Sequence, residues 1–169
     1  MQHMQLENKK VLLLTDIADG IERMIQQVIN VQPENMLTIQ SYGSIIVHPY
    51  GDIMRSIIIA IYQENVEEIF VVGIKDKETA PVNIQSQLDS IKDNMQLDYL
   101  FQHCMPEFSG GTFDDWLNGK GNVSENIEKS IDIIRHHPLI PSDIKIHGFM
   151  IHKMGKRADV VNVLTNKTV

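Results

Sequence analysis

This sequence of 169 residues lacks several features that mark specialised proteins. It has one cysteine, Cys104, so a single chain can form neither an intrachain disulfide nor a zinc site with two thiolates. It also has no surplus of basic residues: 22 acidic against 15 basic residues give a formal net charge of −7. A phosphate backbone is bound chiefly by Lys and Arg, so we expect no nucleic acid partner.

The apolar runs are short as well. Val11–Leu14 follows Lys10 but ends at Thr15, below the ~7–15 apolar residues of a secretory signal. Later runs fall far below the ~18 residues of a membrane span. We therefore expect a cytoplasmic protein without a membrane span. No internal repeat or linker-like stretch interrupts the chain, so residues 1–169 are predicted to form a single domain.

Common nucleotide-binding and hydrolase motifs are missing too. There is no Gly-x-Gly-x-x-Gly after the first strand pattern, no phosphate-binding loop ending in Gly-Lys-Ser/Thr, and no Gly-x-Ser-x-Gly. Gly119-Lys120-Gly121 lacks the required spacing and is expected to be a solvated loop.

What the sequence does contain is an alternation of strand and helix patterns. Runs typical of strands are Val11–Thr15, Met36–Ser41 with a continuation over Gly43–Val47, Ile69–Gly73, Ile144–Ile151 and Ala158–Val163. Stripes typical of amphipathic helices cover residues 21–29, 53–64 after a capping Asp52, 81–91, and 123–134 after a capping Asn122. Met154-Gly155 suits a hairpin turn between the last two strands. The pattern predicts an α/β fold, with a mostly parallel central sheet flanked by helices and a C-terminal strand hairpin.

The helix pattern between Ile53 and Tyr62 is unusual because it is apolar around most of its circumference. A helix with one solvent-facing side carries polar residues there. This segment is therefore predicted to be buried on more than one side.

Several segments together form a pattern that is typical of one enzyme family. The carboxyl-terminal part is the most specific, through Ile133–Arg135, His137–Pro141, Ile146–Phe149 and Met154–Lys156. With Arg55-Ser56 at the start of a helix and Ile39–Gly43 before it, these segments resemble the β-class carbonic anhydrases over about residues 10–163, nearly the whole chain. Arg55-Ser56 matches the family's Arg-Ser, and Ile39–Gly43 stands where the family has Arg-Asn-Ala-Gly. The resemblance implies that family's fold and an assembly of two or more identical subunits.

The zinc-binding motifs of that family are changed in this sequence. The family's Cys-x-Asp-x-Arg falls on Asp16, Ala18 and Gly20, and its His-x-x-Cys falls on Ile74 and Lys77. Catalytic zinc needs imidazole, thiolate or carboxylate ligands and a position for water. Ile74 has no donor atom, and a protonated Lys77 would repel the cation. We therefore expect no zinc, no other cofactor and no catalytic residue at these positions.

The sequence allows two roles for Lys77. It could pair with Asp16, so that an ion pair replaces the metal–thiolate cluster, or it could point into solvent from a loop. Gln40, Ser41 and Asp76 are expected to line the remainder of this vestigial pocket. A bicarbonate-like small anion is a ligand that the resemblance suggests.

The histidines offer no ready chelate, because the adjacent pairs His103-Cys104 and His136-His137 point in different directions on a regular element. A metal site formed by histidines of two subunits is an alternative that the sequence leaves undecided.

Two functions follow from these residues. The first is a non-catalytic relative of carbonic anhydrase with a structural, regulatory or small-anion-binding role, working as a homodimer or larger homo-oligomer. The alternative is an enzyme: a carbonate dehydratase or another lyase or hydrolase that uses unrecognised ligands, or metal-free acid–base chemistry by Asp16, Asp76 and Lys77.

Overall fold

Nine helices and strands make up the part of the chain that the computed structural model describes, namely residues 8–76, 103, 113–119, 121–154 and 157–163. In chain order they are β1 (Val11–Asp16), α1 (Ile21–Ile29), β2 (Met36–Ser41), α2 (Asp52–Glu64), β3 (Glu68–Asp76), α3 (Phe113–Asn118), α4 (Val123–His136), β4 (Lys145–Met154) and β5 (Arg157–Val163). Short 3-10 turns lie at Pro33–Asn35 and Tyr42–Ser44. The helix expected over residues 81–91 and the hairpin turn at Gly155 lie outside the described residues. No helix within these ranges is both long and apolar enough to cross a membrane.

The strands form one sheet in the order β2-β1-β3-β4-β5. β1 pairs in parallel with β2 and β3, β3 pairs in parallel with β4, and β5 runs antiparallel to β4. This confirms the predicted mostly parallel sheet with a C-terminal hairpin. Since the chain goes outward from β1 to β2 and then returns to β3, the strand order reverses beside β1. In open α/β sheets, ligands bind at the carboxyl ends of the strands at such a reversal.

Helices cover both faces of the sheet. Leu12 and Leu14 of β1 belong to one apolar cluster with residues of α2 and α4, and the alternating Val11 and Leu13 belong to another cluster with residues of α1. All four β1 residues are buried, which is the reason that this strand is apolar without alternation. The result is a three-layer arrangement with α1 on one side and α2 and α4 on the other.

Two glycines let α4 approach the sheet closely. A Cβ built on Gly73 of β3 would lie 2.7 Å from Val123, and one built on Gly148 of β4 would lie 2.8 Å from Ile131. Distances this short are not tolerated between real side-chain atoms. The absence of side chains at these two positions therefore determines how near α4 lies to β3 and β4.

Local predictions around the turns have mixed outcomes. Asn122 caps α4 as predicted, since its Oδ1 accepts a hydrogen bond of 3.0 Å from the backbone N–H of Glu125. The prediction that Asp52 caps α2 is wrong, because Gly51 is the N-cap and Asp52 is the first helical residue. The predicted strand continuation over Gly43–Val47 is wrong as well. Residues 42–44 form a 3-10 turn in which Gly43 has φ +75°.

Candidate functional site

Asp16 and Ser41 lie side by side at the carboxyl ends of β1 and β2, where they are partners in the strand register. The half-buried Asp16 uses its Oδ1 as an acceptor for two backbone N–H groups, from Ile17 at 2.9 Å and from Gly43 at 3.0 Å. The second bond joins the end of β1 to the 3-10 turn that follows β2. Asp16 thus stabilises the turn that delimits this edge of the sheet.

The other residues predicted to line the pocket near Asp16 make contacts that stabilise the fold. Gln40 is exposed and its Nε2 donates to Glu22 Oε1 at 3.3 Å, which ties β2 to α1. Ala18 packs partly against the apolar cluster on the α1 side. Gly20 is the N-cap of α1 with φ +79°, a left-handed conformation that glycine adopts without strain.

On β3, Ile74 is a partly buried apolar residue that packs against the same α1-side cluster. Its side chain therefore contributes to the core and offers no donor atom. Asp76 is the last residue of β3, but its side chain lies outside the described part of the structure, as does all of Lys77. The predicted Asp16–Lys77 ion pair stays a prediction.

Two buried hydroxyls at this edge have no hydrogen-bond partner in the described part of the chain. They are Thr15 Oγ1 at the end of β1 and Ser41 Oγ at the end of β2. A buried polar atom without a partner is destabilising and is uncommon in folded proteins. These two hydroxyls therefore have unused hydrogen-bonding capacity.

The described residues at this edge do not fit zinc. Asp16 supplies a carboxylate whose Oδ1 already accepts two backbone hydrogen bonds, and Ile74 supplies nothing. Structural and catalytic zinc sites use three or four nitrogen, sulfur or carboxylate ligands arranged tetrahedrally. Across the described ranges, no group of three or more His, Cys, Asp or Glu side chains lies close enough to hold a metal ion.

Most of the described histidines have a contact of their own. The Nδ1 atom of His48 accepts from the Tyr50 N–H at 3.0 Å, and that of His137 accepts from the Leu139 N–H at 3.2 Å. His136 Nδ1 lies 2.8 Å from the Asp132 carbonyl oxygen. These short-range contacts orient the rings within one chain. Cys104 lies outside the described residues, so the expectation that His103-Cys104 forms no chelate stays a prediction.

A charged cluster that the sequence analysis missed lies at the opposite, amino-terminal edge of the sheet. Glu68, the first residue of β3, is 2% exposed. Its Oε1 accepts from Lys9 Nζ at 2.7 Å, and its Oε2 lies 2.8 Å from His147 Nε2. His147 stacks on the ring of Phe70, with centroids 4.7 Å apart. The cluster joins the start of β3 to β4 and to Lys9, which lies two residues before β1.

Glu68 and Lys9 shift each other's pKa. Burial by itself would raise the pKa of Glu68, but the hydrogen bonds and charges of Lys9 and His147 outweigh it and lower that pKa. The hydrogen bond and the negative charge of Glu68 raise the pKa of Lys9. Both groups are therefore held in their charged forms.

The only sequence signal for this cluster was a glutamate opening a strand that is otherwise apolar. Its partners are 59 and 79 residues away along the chain, so they could be recognised only from the strand register.

Comparison with known proteins adds a relationship over almost the entire chain. The carbonic anhydrase-like protein YbcF of Bacillus subtilis is 58% identical over 163 residues, covering 96% of this chain and 92% of that protein. No protein-family model matches the sequence.

Solved structures agree on the fold. The β-carbonic anhydrase isoform I of Trichomonas vaginalis superimposes with a TM-score of 0.66 at 20% identity, covering 97% of this chain and 88% of that one. Structures described as tetrameric β-carbonic anhydrases from Sordaria macrospora give a TM-score of 0.54 at 12% identity, covering 92% of this chain and 81% of theirs. Together with the relationship to YbcF, these findings place the chain in the β-class carbonic anhydrase family.

Proposed function

We propose that this chain is a non-catalytic member of its family, which keeps the fold and the subunit assembly but has lost the zinc centre. Its role is then structural or regulatory, with binding of a small anion as a further capacity. The main support for the proposal is the pair of backbone hydrogen bonds that the Asp16 carboxylate accepts. Where the family has a zinc-binding thiolate, this chain has a carboxylate oxygen that holds the backbone of Ile17 and Gly43.

The second half of the zinc site supports the same conclusion. Ile74 stands at the family's histidine and packs into the core, so a metal ligand is replaced by an apolar contact. Lys77 stands at the second cysteine, and its ammonium would repel a metal ion. We infer that the Lys77 ammonium lies beside Asp16. Its positive charge then balances the Asp16 carboxylate at the position where the family binds zinc.

Small-anion binding rests on the unpaired Ser41 hydroxyl beside the Gly43 turn. A hydroxyl can donate to a carbonate-like oxygen. The negative charge of Asp16 in the neighbouring strand opposes such binding, so we expect a weak interaction that depends on Lys77. Titration with bicarbonate, followed calorimetrically in the native chain and in Lys77→Met, tests this part.

Self-association is the second component of the proposal. Its support is the tetrameric description of structural relatives and the helix α2, which is apolar on more than one side.

The deciding experiment combines metal analysis of the purified protein with stopped-flow carbon dioxide hydration. We expect zinc far below one ion per chain and no hydration above the buffer rate. As a matched variant, Asp16→Cys/Ile74→His/Lys77→Cys returns the family's ligand types and is expected to retain zinc. Stoichiometric zinc with measurable hydration in the native chain would contradict the proposal. Hydration that survives chelation would instead support metal-free acid–base catalysis.

A further inference from the structure

A cavity of about 420 Å³ opens at the edge of the sheet where the parallel strands begin, opposite the edge that holds Asp16. Its wall includes the last turn of α2, the start of β3 at Glu68 and the loop that leads into β4 at Lys145. Small-molecule sites in proteins have volumes of about 300–1,000 Å³. The cavity is therefore large enough for a small organic molecule, and none of the described residues at the zinc position lines it.

One part of the cavity wall is apolar. Ile61 and Val66 are buried, and Ile144 is partly buried. Tyr62 adds a side chain that is 61% exposed, and its hydroxyl is already used, since Oη donates to the Leu139 carbonyl oxygen at 2.9 Å. Aliphatic surface of this kind binds the alkyl part of a ligand, and an aromatic ring attracts a cation to its face.

The charged part of the wall has an excess of carboxylates. Glu68 is 2% exposed and is balanced by Lys9, whose Nζ lies 2.7 Å from its Oε1. The other charged residues of the wall are Glu67, Asp143 and Lys145, which are exposed and form no ion pair within the described ranges. The charge of Glu67 also contributes to the raised pKa of Lys9, so it acts on groups in the cavity wall. Two carboxylates against one free ammonium give the cavity a negative potential.

The carboxyl end of α2 adds to this negative potential. The helix ends at Glu64, and Asn65 caps it in a left-handed conformation with φ +57°. Its last turn has no basic side chain. The carboxyl end of a helix carries roughly half a negative charge, because the last carbonyl groups have no partner in the helix. Since this turn forms part of the wall, it favours a cation in the cavity.

The arrangement fits an organic cation better than a metal ion. Across the described ranges, no three His, Cys, Asp or Glu side chains lie close enough together to hold a metal. A primary ammonium needs no such convergence, since its three N–H groups can bond separate acceptors. Lys9 already shows this chemistry, because its alkyl stem ends in an ammonium that donates to a carboxylate of the same wall.

We propose that this cavity is a binding site for a small primary alkylammonium. Glu67, Asp143 and the carboxyl end of α2 bind its charge, and the alkyl group packs on Ile61 and Ile144. The Lys145 ammonium opposes the bound charge and limits the affinity. The site is separate from the zinc position, so the inference depends neither on the loss of zinc nor on self-association.

Pentylammonium is the probe that tests the site, with pentanoate and 1-pentanol as matched molecules of opposite charge and of no charge. A two-dimensional nuclear magnetic resonance titration at pH 7 follows the backbone amides at low ionic strength, where exposed charges are screened least. We expect pentylammonium to bind with a dissociation constant of about 1 mM, a modest free energy per atom for so small a ligand. The amides of Asn65, Glu67 and Lys145 should shift. Pentanoate and 1-pentanol should leave them unchanged at the same concentrations.

Charge variants of the wall test the assignment with effects of opposite sign. Glu67→Gln and Asp143→Asn each remove a carboxylate and should weaken pentylammonium binding by about fivefold, the upper range for an exposed ion pair. Lys145→Met removes the opposing ammonium and should tighten binding by a similar factor. Asp159→Asn is the matched control, because Asp159 is exposed on β5 and pairs with His152 at the other end of the sheet. It should leave the affinity unchanged, and circular dichroism confirms that all four variants fold.

The proposal is overturned if pentylammonium shifts none of these amides at its highest usable concentration, or if pentanoate binds equally well. It is also overturned if the affinity is the same in the native chain and in every wall variant, because the alkyl chain alone would then account for the contact. A loss of affinity in Asp159→Asn as large as in Glu67→Gln would show that only the net charge of the chain matters. Zinc content and carbon dioxide hydration are measured independently of this site, so a failure here leaves the proposed function as it stands.

Discussion

Replacing the buried Glu68 by glutamine should destabilise the protein far more than removing a surface ion pair. Glu68 is 2% exposed and both of its carboxylate oxygens are engaged, by Lys9 at 2.7 Å and by His147 at 2.8 Å. Hydrogen bonds to charged groups contribute about 1.5–3 kcal/mol each. Glutamine keeps one oxygen acceptor and loses the charge.

Two effects reduce the expected loss. The glutamine is less costly to bury than a carboxylate, and the partners can return to water, because the side chains of Lys9 and His147 are 38% and 25% exposed. The loss should therefore lie below the ~3–5 kcal/mol of a fully buried broken pair. We expect about 2 kcal/mol at pH 7, which in a chain of this size lowers the melting temperature by about 4–8 °C.

The dependence on pH has a definite sign. The pKa of Glu68 is lowered in the folded state, so the unfolded chain takes up the proton first as the pH falls. The stabilisation is complete above the unfolded pKa of about 4.3 and is lost as the pH falls through the folded pKa. The difference between the native chain and Glu68→Gln should therefore be largest near neutrality and should shrink in acid.

Urea unfolding at several pH values measures this difference, with Glu64→Gln as the control. Glu64 pairs with Lys10 at 3.1 Å, but their side chains are 50% and 32% exposed, so this change should cost less than about 1 kcal/mol. The reasoning is refuted if Glu68→Gln costs no more than Glu64→Gln at pH 7, or if its cost grows as the pH falls.

Two further predictions concern packing and capping. Gly148→Ala should destabilise by about 1–3 kcal/mol, because the new Cβ would lie 2.8 Å from Ile131 Cδ1; adding Ile131→Val, which removes that atom, should recover part of the loss in urea unfolding. Asn122→Ala should cost about 1 kcal/mol by the same assay, because it removes the acceptor for the Glu125 N–H, whereas Asn122→Asp should retain most of the stability. Equal stability of Asn122→Ala and the native chain would show that water replaces the cap.

Hydrophobic periodicity was sufficient to predict the positions of the helices and strands whose formation depends on local sequence. β1 and α1 lie where their patterns predicted them, since burial on both faces requires a continuous apolar strand and burial on one face requires a helical stripe. The Asn122 cap was also readable, because the side chain and the backbone N–H that it accepts are only three residues apart. Family resemblance extended these local interpretations to the fold of the whole chain.

Predictions failed where two local solutions were equally good. An apolar run after Gly43 could have continued β2, but the Asp16 carboxylate, 27 residues earlier, accepts the Gly43 N–H and favours a turn. At the start of α2, both Gly51 and Asp52 are acceptable N-caps, and the backbone placed Gly51 there. In the first of these cases, the deciding contact came from a distant part of the chain.

The amino-acid sequence by itself determined the α/β class, the apolar strands and the residue types at positions 16, 18, 20, 74 and 77. Only the tertiary structure decided what those residues contact. It directed Asp16 to the backbone of Gly43, and it assembled Glu68 with Lys9 and His147. It also left one side of α2 uncovered. The physical reason is that periodicity reports which faces are apolar, whereas hydrogen-bond partners and exposed surface depend on strand register and on packing between distant segments.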